Sequence, residues 1–157
     1  SDIIKELVSN LIEQMQGNSL NPPIDPIENA KFFVDNVVAT FEQDTDFYRA
    51  ALMSAEQLRL FDPRIPDGLF QRAQQVAAPR KDWYEAGLFL GNIEPSTIMK
   101  KVHNSNRLGR IDWVSGYIDL NQFRHQVLEG ILLVYASDAS PEFHVRLSEE
   151  INGLSKL

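Results

Sequence analysis

The sequence predicts an all-α fold, a multi-helix bundle of about seven or eight helices forming a single domain over residues 1–157. Three observations carry this. Apolar residues recur at spacings of three and four along most of the chain, helix caps and stops bracket those stretches, and no run alternates apolar with polar residues as a half-buried strand would.

From Asp2 to about Gln16, the residues Ile4, Leu7, Val8, Leu11 and Met15 share one helical face, and Gly17 supplies a stop. QGNSLNPPID then reads as a loop. Asp25-Pro26-Ile27-Glu28 opens the next helix with a cap, a proline at the first position and a glutamate placed to close a capping box. Ile27, Ala30, Phe33, Val34, Val37, Val38 and Phe41 make its face the clearest amphipathic stripe in the chain. The pattern breaks at Asp44–Asp46 and resumes from Phe47 to about Leu60.

The middle is less regular. FDPRIPDGLF predicts a turn, followed by a helix from about Asp67 to Ala77 that Pro79 limits. RKDWYEAGLFLGNIE (80–94) predicts a short helix and a loop lying over the core, where Trp83, Tyr84 and Phe89 either roof a cavity or simply cover apolar surface. A longer helix is expected from Pro95 to Ser115, with Ile98, Val102, Ser105, Gly109 and Trp113 on one face. Ser105 and Gly109 are small where a packed helix is normally large. Such a stripe either lets another helix come close or leaves room for a guest.

The stretch from Trp113 to Ile151 organises the rest. Gly116 stops one helix, Asp119 and Gln122 form a capping box for the next, and Ser140-Pro141 starts the last. Leu120, Phe123, Val127, Gly130, Ile131 and Val134 fall on one side of the middle helix. Leu128, Leu132 and Tyr135 widen that arc to roughly 200°, about twice the stripe one core requires. The excess predicts a second packing surface. With the stripe Phe143, Leu147 and Ile151 of the last helix, it predicts a four-helix dimer interface with a second copy; the competing arrangement is a wholly buried central helix of a monomer.

Composition narrows function mainly by exclusion. A net charge of −7 disfavours non-specific binding to nucleic acid or anionic membrane. The absence of cysteine excludes disulfides and thiolate chemistry and agrees with an expected cytoplasmic location. No apolar run approaches a membrane span and no signal peptide opens the chain. HExxH, GxSxG, Glu-x-x-His pairs and phosphate-binding glycine loops are all missing, and His103, His125 and His144 lie on separate predicted helices. His125 and Glu129 read as a surface i, i+4 pair, and Glu149 and Glu150 as a solvated face. No catalytic residue, metal site or cofactor is expected.

Three stretches resemble the C-terminal, ligand-sensing and dimerising domain of the TetR (tetracycline-repressor) family of bacterial transcription regulators. One is Asp25-Pro26 opening a long amphipathic helix that ends in DTDFYRAALM (44–53). Another is Trp113-x-x-Gly116-x-Ile118-x-x-x-x-Phe123, similar to the family's helix end, turn and following helix start. The third is the terminal pair around VLEGILLVYA and PEFHVRLSEEI. The family's N-terminal helix-turn-helix, with its glycine-threonine-tyrosine recognition region, has no counterpart here, and the helix at Asp2 is similar to the one that follows that module.

The resemblance implies a homodimer that binds a small apolar or aromatic effector between its helices and passes the signal to operator DNA only through the missing module. The expected pocket lining is Phe33, Val37, Phe41, Met99, His103 and Trp113, with His103 as a polar contact. The expected dimer residues are Leu128, Leu132, Tyr135, Phe143, Leu147 and Ile151. A stand-alone helical protein-interaction module is the alternative reading.

Overall fold

In the computed structural model, residues 2–17, 24–62, 64 and 78–155 are described, without the side chains of 14–17. Seven helices are found among them: α1 (Asp2–Gly17), α2 (Pro26–Gln43), α3 (Thr45–Gln57), α4 (Lys81–Glu85), α5 (Pro95–Val114), α6 (Leu120–Ala136) and α7 (Pro141–Leu154). No strand occurs among the described residues, so the fold is all-α. The expected helix at 67–77 and the side chain of Met15 lie outside them.

The local signals place the helix ends. The Asp25 carboxylate accepts from the backbone N–H groups of Ile27 and Glu28 at the start of α2. The Glu28 carboxylate accepts from Lys31 at 3.4 Å, and only the Asp25 half of the expected box is seen. Asp44 separates α2 from α3 and caps the latter through Phe47 N–H at 3.1 Å. α3 begins two residues before the expected start and ends at Gln57, three residues short of Leu60. At Gly116, φ is +80°, and Tyr117 N–H reaches back to Asp112 C=O while Gly116 N–H reaches Trp113 C=O. This is the left-handed stop that only glycine adopts without steric cost. The box of Asp119 and Gln122 is complete, at 2.7 and 2.9 Å.

α6 is the central element, in contact with α5, α7 and α2. α1 packs on α3 and α2, and α3 reaches α5. The small stripe of α5 meets α6 closely. A Cβ on Gly109 would collide with Val127 and crowd Phe123, and one on Gly130 would come to 2.9 Å from Ser105 Oγ. Close approach of two helices, not an empty slot, is what Ser105 and Gly109 provide.

Helix α4 and the following loop lie over the core as expected. Trp83 donates to Ile24 C=O at 2.6 Å, and Phe89 meets Tyr135 and Phe143 edge-on at 5.5 and 5.6 Å. These rings cover the core. A feature with no sequence signal holds the loop: buried Asp138, in the α6–α7 turn, accepts from Gly91 and Asn92 N–H, each at 3.0 Å. Backbone bonds Leu90 N–H to Asp138 C=O and Ser140 N–H to Leu88 C=O flank that contact, both at 2.8 Å.

The wide apolar arc of α6 is satisfied within the chain. Leu128, Leu132 and Tyr135 are buried, as are Phe143 and Leu147 of α7, and Ile151 packs half-buried against the same core. Five of the six expected interface residues are thus core of their own chain. Covered within the chain, Leu128, Leu132, Tyr135, Phe143 and Leu147 present no surface to a second copy, whereas Ile151 stays partly exposed, and the excess of apolar area on α6 no longer argues for a second copy.

Candidate functional site

A cavity of about 50 Å³ lies where α1, α2, α3, α5 and α6 converge. α1 gives it Val8, Leu11 and Ile12, α2 gives Phe33, Val34, Val37 and Phe41, and α6 closes it with Phe123 and Val127. One wall differs in character: His103, Asn106 and Arg110 stand at i, i+3 and i+7 on α5, facing Phe61 and Leu52. The site is therefore an apolar chamber with a polar rail along a single helix.

Each group on the rail has a distinct electrostatic state. His103 is buried, and burial, reinforced by Arg110 and Arg107, lowers its pKa to about 4, so it is neutral at pH 7. Asn106 is only 7% exposed, and its Oδ1 has no hydrogen-bond partner among the described residues. Arg110 is half-buried as a residue, but its Nη2 is shut off from solvent and also lacks a hydrogen-bond partner among them. Its guanidinium sits 4.8 Å from the Phe61 ring centroid, and burial lowers its pKa to about 10. The nearby Glu56 is spent on Arg107, with bonds of 3.1 and 2.8 Å. Polar groups buried without partners are uncommon because each forfeits its hydration, so their meeting at one cavity is informative.

Four of the six residues expected from sequence line this chamber: Phe33, Val37, Phe41 and His103. Met99 and Trp113 do not. Met99 lies one helical turn, roughly 6 Å, beyond His103 along α5 and packs half-buried on the core. Trp113 stands behind the wall, its ring stacked on Phe41 at 4.7 Å and the Arg49 guanidinium 5.0 Å from its centroid. Asn106 and Arg110 were absent from the expectation. Their i, i+3, i+7 alignment with His103 was legible, but a polar row beside an apolar stripe ordinarily means solvent.

A larger cleft, about 540 Å³, opens between α2, α6 and α7, but it is superficial and its cations are already paired. Lys31 meets Glu150 at 3.0 Å, Arg124 meets Asp35 at 2.5 Å, and Arg146 meets Asp25 at 2.7 Å. Elsewhere His125 and Glu129 are 4.0 Å apart on the surface. Among the described residues no cluster of three or more His, Cys, Asp or Glu could hold a metal, and no helix is long and apolar enough to cross a membrane. No family model, curated protein or solved structure matches the chain.

Proposed function

We propose that this chain is the small-molecule-sensing and homodimerising domain of a TetR-like bacterial transcription regulator, whose DNA-reading module is a separate segment ahead of α1. The observation that supports it is the chamber itself: apolar on most sides, polar on one, and built from α1 together with the core helices. At about 50 Å³ it holds a few water molecules and is far smaller than the few hundred Å³ a typical effector needs. A guest must therefore displace a wall.

α1 is the wall best placed to carry a signal. Its Val8 and Ile12 belong to a small cluster with Ala55, Leu60 and Phe61, separate from the main core. A ligand that fits better with α1 displaced shifts the protein toward that arrangement, and the shift is bounded by its differential affinity for the two states. In the intact regulator this motion would reach the DNA-reading module and weaken operator binding.

Native mass spectrometry of the purified chain tests subunit number and bound small molecules together. The expected result is a dimer that retains or takes up a small apolar or aromatic compound. Val37→Trp, which fills the chamber, should abolish uptake while leaving helix content intact; uptake undiminished in that variant would move the site elsewhere.

A further inference from the structure

The chamber and a neighbouring surface groove of about 130 Å³ share three lining residues, Leu52, Phe61 and Arg110. These three form the partition between inside and outside. Leu52 and Phe61 are buried apolar side chains. Arg110 contributes the only charge at the partition, with a buried Nη2 that no described acceptor meets. The nearest carboxylate, Glu56, also lines the groove but is held in two bonds by Arg107.

We propose that this partition is the head-group site for a small organic acid, with the carboxylate on Arg110 and the apolar body in the chamber between α1, α2 and α6. This rests on the reading of the chamber as a ligand site and specifies the class of ligand. A planar guanidinium with unused N–H groups matches a carboxylate, and a charge-assisted bond is stronger than a neutral one. Asn106, one turn away on the same face of α5, leaves a buried Oδ1 acceptor unpaired; it cannot bond a carboxylate, so the head group rests on Arg110 alone. The acid enters from the groove with its apolar end first, past Leu52 and Phe61. Its carboxylate stops at the partition and keeps part of its hydration, so the cost of full burial is avoided.

Isothermal titration calorimetry of the full chain at pH 7 tests this with hexanoate and phenylacetate against hexan-1-ol and 2-phenylethanol, which keep the apolar body and lose the charge. The acids should bind at least about tenfold tighter than the alcohols, the factor expected for one charge-assisted bond. Arg110→Met should erase that preference without weakening the alcohols, and Arg110→Lys should retain part of it. Equal binding of acids and alcohols to the unaltered chain would overturn the organic-acid assignment and leave the chamber standing as an apolar site. Acid preference surviving in Arg110→Met would remove the head group from Arg110. If neither acids nor alcohols bind, the assignment fails together with the chamber as a site for such molecules.

Discussion

Asp138 and His103 are buried titratable side chains whose removal or protonation has a calculable consequence. Asp138 fastens the 87–92 loop through two backbone N–H groups. Asp138→Ala leaves both donors without their acceptor, at a cost of about 1–3 kcal/mol for each donor that stays buried. The variant should unfold at visibly lower urea concentration, and near-ultraviolet circular dichroism should report loosening around Trp83. A stability equal to that of the parent would mean the loop is held by its backbone pairing alone.

His103 predicts a pH dependence. Burial lowers its folded pKa to about 4, against about 6.5 when the chain unfolds. Between these values the unfolded chain binds more protons, so stability rises with pH across that window and the stabilisation is complete above about 6.5. Acidification from pH 7 to 4 should therefore cost up to about 3 kcal/mol through this residue. His103→Gln should flatten that part of the stability profile. An unchanged acid limb in the variant would assign the loss to other groups.

At the scale of helices, the contact between α5 and α6 depends on two glycines that leave no space for a side chain. Gly109→Ala puts a methyl group into Val127 and against Phe123, both buried. Helix propensity favours the alanine by about 1 kcal/mol, whereas overpacking a rigid core costs about 1–3 kcal/mol. Collision should prevail, and thermal unfolding should show a net loss. A gain would mean that α5 and α6 can separate at little cost. The capping box of Asp119 lies in solvent at the start of α6, and its contribution is of the ordinary size for an N-cap, about 1 kcal/mol.

At the scale of the whole molecule, the proposed dimer would use the same helix pair, α6 and α7, through outward residues rather than through the five that are buried. The outward faces of α6 and α7 carry Leu133, 53% exposed, and Val145, 57% exposed. Sedimentation at micromolar concentration should give twice the 17.9 kDa chain mass, and Leu133→Asp should return the monomer with its helix content intact. A monomeric parent chain would remove dimerisation from the proposal and leave the ligand chamber untouched.

The caps and stops at Asp25, Asp44, Gly116, Asp119 and Ser140, and the helical faces between them, were readable from the chain because each depends on atoms a few residues apart. The same locality made Phe33, Val37 and Phe41 recognisable as inward-facing, whereas His103 was expected at the pocket only through the family resemblance. Periodicity could not decide how many neighbours α6 has within its own chain. Leu128, Leu132 and Tyr135 look identical in sequence whether a twin covers them or α2, α7 and the 87–92 loop do. Nor could it show that Asn106 and Arg110 face a chamber, since a polar row on a helix is ordinarily satisfied by water. Only the convergence of α1, α2, α3 and α5 removed that water, because exclusion of solvent belongs to several helices meeting and to none of them alone.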